Sequence, residues 1–312
     1  MNSITKYIAF LLMAGSIMAC EDTIYPELAD SEPVVSIDAF VTSQEKTQVI
    51  KVTKTQYYFD KNRPAGVSGA QVSITDDQGK VFLFTESNTD GWYEWDPALS
   101  DDSLGLPGVE YSLSILAEGI EYTSTSITQG VPKIDSITFN FEPENEISLA
   151  TWFAEVWARD LEGPGNAYWI RGWKNGEYLS KPAEILTAYD AGFSRGSEVD
   201  GLIFITPVRS GTGINLSSDE DPDTGKFLPS YLDGDSIYVE IHSVSETTFD
   251  FLNLMKIQID RPGGFGELFA TPIDNVPTNI IPSQEGVKVV GCFNVSTVSS
   301  FGKKLVAENE TP

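Results

Sequence analysis

Gly69-Ala70-Gln71-Val72-Ser73-Ile74-Thr75-Asp76, followed by Asp77-Gln78-Gly79-Lys80 and then Val81-Phe82-Leu83-Phe84-Thr85, is the stretch whose reading decides the fold. Ala70, Val72 and Ile74 alternate with polar residues, so the first segment reads as a half-buried strand with those three on its core face. The glycine-containing turn returns the chain into a second β-rich run, and the two make a hairpin. Further out, Tyr111, Leu113, Ile115 and Ala117 repeat the alternation, and Glu118-Gly119 turns the chain back into Tyr122-Thr123-Ser124-Thr125. Short strands at this spacing, with no helical period among them, predict a β-sandwich over residues 33–130.

Gln129-Gly130-Val131-Pro132 interrupts regular pairing, and the strand pattern restarts at Asp135-Ser136-Ile137-Thr138-Phe139. A chain of 312 residues is long enough for two domains, so residues 131–312 are predicted as a second, C-terminal β-rich domain. Its strands are expected at 147–158, at 168–173 before the type I′ turn signal Asn175-Gly176, at 236–242, and at 287–290 and 293–298 on either side of Gly291. One helix is expected near 244–259. Ser243 and Glu246 have the spacing of a capping box, Phe249, Leu252, Met255 and Ile259 recur at helical spacing, and Arg261-Pro262-Gly263-Gly264 ends the run. The fold class is therefore mainly β: two β-sandwich-like domains, the second carrying one α-helix. Cys292 reads as a buried free thiol.

The first residues carry one charge, Lys6, then the apolar run Tyr7-Ile8-Ala9-Phe10-Leu11-Leu12-Met13-Ala14 and small residues up to Ala19. That order is a secretory signal peptide over 1–19, too short for a spanning helix. Ile17-Met18-Ala19-Cys20 resembles the lipobox of bacterial lipoproteins, which implies a diacylglyceryl thioether on Cys20 and cleavage before it. Residues 20–32 lack periodicity and read as a lipidated tether. Glu21 and Asp22 resemble the signal that sends such lipoproteins to the outer face of the outer membrane.

Composition excludes several kinds of chemistry. With 46 acidic against 20 basic side chains, net −26, the chain repels a phosphate backbone, so no nucleic-acid partner is expected. Two cysteines and one histidine exclude a four-thiolate zinc site and any site needing two imidazoles, and no cofactor is expected. Gly192-Phe193-Ser194-Arg195-Gly196 matches the nucleophile-elbow pattern, and His242 follows it. The flanks lack the strand and helix that an elbow needs, so a catalytic serine is disfavoured and no catalytic residue is assigned. Asp219, Asp221 and Asp223 form a weak calcium alternative, because glycine and glutamate do not fall where an EF-hand loop requires them. Trp169, Arg171 and Trp173 share one strand face and are the leading candidates for ligand contact, as a platform for rings or as a cation–π ladder covering a sheet. Trp92 and Trp95, beside Tyr93, are a second candidate group near a loop tip.

Several pieces in order carry a wider likeness. They are Pro33-Val34-Val35-Ser36-Ile37-Asp38-Ala39-Phe40-Val41, Gly69-Ala70-Gln71-Val72, Gly91-Trp92-Tyr93, Leu232-Asp233-Gly234-Asp235-Ser236, Phe249-Asp250-Phe251-Leu252, Val276-Pro277-Thr278-Asn279-Ile280 and Gly291-Cys292-Phe293. Together they resemble a functionally uncharacterised family of Bacteroidota outer-membrane lipoproteins, often encoded beside TonB-dependent receptors. The resemblance implies a first domain similar to immunoglobulin-like or carboxypeptidase-regulatory-like sandwiches, and it supplies no catalytic residues. It also implies a lipid-anchored, cell-surface accessory that is not an enzyme and captures or gates a small ligand (peptide, glycan or metal chelate) for a β-barrel receptor. A structural or adhesive surface module is the alternative, and a surface hydrolase a lesser one.

Overall fold

The computed structural model describes residues 32–57, 60–100, 102–216, 219–261, 269–272 and 274–309; the expected signal peptide, Cys20 and the expected tether up to residue 31 lie outside them. Strand β1 (Val35–Thr42) turns Val35, Ile37, Ala39 and Val41 inward and leaves Asp38 exposed, as the two-residue period requires. The same alternation builds β2 (Gln48–Lys54), β3 (Gln71–Asp76), β4 (Val81–Glu86), β5 (Trp92–Trp95), β6 (Glu110–Ala117) and β7 (Ile120–Ile127). Gly79 has φ +83°, and Glu118 and Gly119 have φ +52° and +81°, the positive values that tight hairpin turns demand.

These strands join two from the far end of the chain, β14 (Ile281–Pro282) and β15 (Val289–Ser296), in a nine-stranded sheet ordered β14-β7-β6-β3-β4-β5-β2-β1-β15. Only the β1–β15 pair is parallel, running from Val35 opposite Val289 to Thr42 opposite Ser296. The sheet curls until its ends meet: Val295 N donates to Ser126 Oγ at 3.1 Å, tying β15 to β7. Asn279 stitches the same seam. Its Nδ2 donates to Phe293 O (2.7 Å), its Oδ1 accepts from Phe293 N (2.9 Å), and its carbonyl accepts from Ser124 Oγ (2.8 Å). Replacing Asn279 with alanine strips both side-chain bonds from β15, and a loss of about 1–3 kcal/mol is expected in a denaturant titration. An unchanged midpoint would show that the seam closes without it.

The remaining described strands make a second layer. β10 (Ala167–Lys174), β11 (Glu177–Tyr178), β13 (Ser236–Val244) and β16 (Val298–Lys304) are ordered β11-β10-β13-β16, with β12 (Leu186–Tyr189) also pairing β10. Asn175 and Gly176, between β10 and β11, have φ +52° and +85°, the type I′ geometry their sequence predicts. A hairpin of β8 (Ile134–Glu142) and β9 (Thr151–Ala158) covers one face, packing Ile137, Phe139, Ala154 and Val156 against Ile170, Val239 and Ile241. The chain is thus mainly β.

Three expectations need correction. The cut at residue 130 does not describe the sheets: residues 33–312 cluster as one compact unit, and β14 and β15 belong to the first sheet, not to a C-terminal domain. A parallel partner for β1 needs a crossover, here nearly the whole intervening chain, and such distant pairing leaves no turn signal. Gly291 does not separate two strands; β15 runs through it at φ +115°, and the next strand, β16, crosses to the second sheet. The helix forms as α2 (Glu246–Ile259), after the short α1 (Thr206–Arg209), but Ser245 caps it, its Oγ accepting from Thr248 N at 3.1 Å. Ser243 is still in β13, bonded to Thr297, while Glu246 accepts from the Tyr189 hydroxyl at 2.7 Å. Phe249 and Leu252 are buried as expected, whereas Ile259 is half exposed.

Candidate functional site

Along β10, Tyr168, Ile170 and Gly172 are buried toward the β8–β9 hairpin, so the alternation sends Trp169, Arg171 and Trp173 to the opposite face. The Arg171 guanidinium carbon lies 4.7 Å from the Trp169 ring centroid, 5.2 Å from Trp173 and 4.6 Å from Tyr178. The type I′ turn makes the third contact possible, because it sets Tyr178 opposite Trp173. Arg171 Nε donates to Tyr178 Oη at 3.3 Å, and Trp173 rests on Tyr238 with ring centroids 5.5 Å apart. The sequence-predicted stripe is therefore assembled, and Tyr178 and Tyr238, which the sequence reading passed over, complete it. The Asn175-Gly176 register was the signal that could have found Tyr178.

One end of this face is closed. Trp169 meets Phe40 of β1 edge-on at 5.5 Å, Phe251 of α2 lies 6.5 Å from Phe40, and Thr187 of β12 donates to Asn253 Oδ1 at 2.9 Å. The other end is open: Arg171 and Trp173 are half-buried and Tyr238 is 38% exposed. Across the strands, Tyr238, Glu240 and His242 of β13 lie opposite Trp173, Arg171 and Trp169.

Glu240 and His242 are only 3% and 2% exposed, which requires that each be satisfied internally. His242 Nε2 lies 2.8 Å from Glu240 Oε2, and Gln44 Nε2 donates to Glu240 Oε1 at 2.6 Å from the β1–β2 loop. Burial pushes the Glu240 carboxyl up, but the hydrogen bonds from His242 and Gln44 and nearby positive charge outweigh it, bringing its pKa down to about 2. Burial lowers the His242 pKa despite the bond to Glu240, and the charges of Arg171 and Lys46 act in the same direction. A neutral imidazole donating to a carboxylate follows.

Both shifts are depressions, so both contributions to stability are present at neutral pH. They are lost as pH falls below 6.5, where an unfolded histidine begins to protonate, and again below 4.5 toward the folded value of about 2 for Glu240. Asp160, whose pKa burial raises, acts oppositely in the acid range. A urea midpoint lower at pH 5 than at pH 7 is expected, with the drop reduced when His242 is replaced by glutamine. Equal pH dependence in the two proteins would contradict this assignment.

His242 is not placed to serve Ser194. Ser194 sits on an exposed turn, its Oγ 3.5 Å from Ser197 Oγ; the strand β12 does lie upstream, contrary to expectation, but turn residues separate it from Ser194, and the next helix, α1, begins only at Thr206. Trp92 and Trp95 do not form one aromatic group, because three residues apart on β5 they face opposite sides. Trp95 packs into the first core, 5.2 Å from Phe82, whereas Trp92 lies outside under Lys51 and Arg63 at 5.1 and 5.5 Å.

The acidic loop spends its carboxylates locally. Asp221 Oδ1 accepts from the amides of Asp223 (2.8 Å) and Thr224 (3.0 Å), which lower its pKa, and Asp219 pairs with Lys181. Among the described residues, the carboxylates that converge within 4.8 Å are Asp160, Asp190 and Asp200, a grouping the sequence could not show because they come from separate loops. Asp160 already accepts from the Tyr168 hydroxyl (2.6 Å) and Gly201 N (3.1 Å), and Asp190 from Gly165 N and Asn166 N (2.8 and 3.0 Å). Cys292 is a buried free thiol whose pKa burial pushes up to about 12, so it stays protonated and unreactive.

No curated protein matches the chain. A family model does, over residues 21–301, which takes in the first sheet, the second sheet as far as the middle of β16, both α-helices and the aromatic face. The protein therefore belongs to the family described as Domain of unknown function (DUF4249).

Proposed function

We propose that the protein is an outer-membrane lipoprotein, anchored through Cys20 and facing the cell surface, that serves a TonB-dependent β-barrel transporter as a non-enzymatic accessory capturing or gating a ligand. The observation that carries the reading is the half-open shelf of Trp169, Arg171, Trp173, Tyr178 and Tyr238, a rigid set of rings around one cation on a sheet face. Such surfaces recognise ligands by stacking and charge. The lipobox and the tether at 20–32 supply the anchor, and more than one acyl chain makes such an anchor lasting. The net charge of −26 disfavours adhesion of the body to anionic lipid.

Affinity purification of the full chain from native membranes in gentle detergent is expected to bring down a β-barrel receptor, identified by mass spectrometry. Recovery of a clean monomer across several mild detergents would overturn the reading and favour a free-standing adhesive module.

A further inference from the structure

The charge economy of the molecule sets one half-buried cation apart: Arg63 and Arg159 also lack a carboxylate partner among the described residues, but both are exposed, whereas Arg171 is half-buried. Arg195 holds Asp250 with both ends of its fork at 2.8 and 3.1 Å, Arg209 lies 3.6 Å from Glu155, and Lys174 lies 3.1 Å from Asp235. In a chain with 46 acidic residues, a half-buried arginine without a carboxylate partner is conspicuous. Arg171 is such a residue: among the described residues its one protein hydrogen bond is from Nε to Tyr178, and its Nη1 and Nη2 groups donate to none of their acceptors. The cross-strand carboxylate that could have taken it, Glu240, is instead bonded to His242, Gln44 and the Tyr238 hydroxyl. The guanidinium is held against three rings, so its orientation is fixed before anything binds, and the entropy ordinarily lost in ordering a long side chain is already lost. Lys46, exposed on the β1–β2 loop and close enough to act on both His242 and Glu240, adds a second positive charge to the neighbourhood.

We propose that the shelf binds a carboxylate-bearing ring compound, the carboxylate taking both free ends of the Arg171 fork and the ring lying against Trp173 and Tyr238. The fork fits a carboxylate with two parallel bonds, which no neutral hydroxyl pair reproduces at equal strength. The open end of the shelf is aromatic, so the rest of the ligand meets flat apolar surface there. A carboxylated sugar and an aromatic carboxylate share this chemistry, and the test separates them.

This assignment rests on the ligand-capture reading above. The test uses the full lipidated chain in detergent and follows tryptophan fluorescence and calorimetric heat with three probes: a uronic-acid trisaccharide, its neutral hexose counterpart and benzoate. The expected result is binding of at least one acidic probe, with the neutral sugar weaker by roughly tenfold or more, and affinity that falls as salt rises. Saturable uronate binding would identify a glycan ligand, and benzoate binding alone an aromatic acid. Arg171→Lys keeps the charge but removes the fork, and it is expected to weaken the acidic probe by roughly ten- to a hundredfold. Lys46→Gln, an exposed change that leaves the packing intact, is expected to weaken it by a few-fold. Equal affinity for acidic and neutral sugars, an unchanged affinity in Arg171→Lys, or no binding of either acid at millimolar concentration would each overturn the proposal. The receptor pull-down keeps the two ideas apart: a receptor retained by Arg171→Lys whose acid binding is lost supports both, and a receptor recovered with a wild-type chain that binds neither acid removes only this one.

Discussion

Replacing Gly291 with alanine is expected to destabilise the protein by about 3 kcal/mol or more, enough to unfold a marginally stable body. Gly291 sits inside β15 at φ +115°, a conformation that L side chains rarely adopt, and a Cβ there would run into the Ile37 backbone of β1. Two costs therefore add, strain at the dihedral and displacement of the neighbouring strand. The damaged contact is the single parallel pairing of the first sheet, which brings the last part of the chain back to the first strand. A melting temperature within a degree or two of wild type would show that β15 does not approach β1 as described. Gly79, at φ +83° with open space around its missing Cβ, is the matched control, since alanine there meets strain without collision.

Replacing Glu240 with alanine is expected to cost about 2–4 kcal/mol, and replacing it with glutamine markedly less. Alanine leaves His242 Nε2 and the Gln44 amide, which now donate to Glu240 at 2.8 and 2.6 Å, without their acceptor in a site only a few per cent exposed. Glutamine keeps one carbonyl oxygen to receive one of the two. Because Gln44 belongs to the β1–β2 loop and Glu240 to β13, the alanine variant is also expected to loosen that loop, read as faster amide exchange around residues 43–46. Equal stability of the alanine and glutamine variants would mean that the buried pair contributes nothing specific.

What the sequence disclosed and what it withheld have physical reasons. Strands such as β3 and β6 were legible because each buries one face, so a two-residue period is written into them. The turns at Asn175-Gly176 and Glu118-Gly119 were legible because positive φ at both positions restricts the residue choice. The parallel return of β15 was hidden, since pairing across most of the chain leaves no local mark, and its Gly291 looked like a break when it is a point of close approach. The helix start was misplaced by two residues because Ser243 and Ser245 offer equal side chains, and only tertiary bonds to Thr297 decide between them.

The site was half legible. Strand alternation put Trp169, Arg171 and Trp173 on one face, as found, but could not say that Tyr178 and Tyr238 join them or that Glu240 bonds to His242. Trp92 and Trp95 were grouped by proximity in the chain, which the period of a strand forbids. Asp160, Asp190 and Asp200 converge only through tertiary structure.

The proposed role requires a lipid at Cys20, which would hold an otherwise ordinary β body at the membrane. Intact-mass analysis of the protein isolated from its native membranes tests that most directly. The account predicts a polypeptide beginning at Cys20 and heavier than its sequence by the mass of the attached acyl groups, recovered with the outer-membrane fraction. A mature chain with an unmodified Cys20, recovered free in the periplasm, would contradict it.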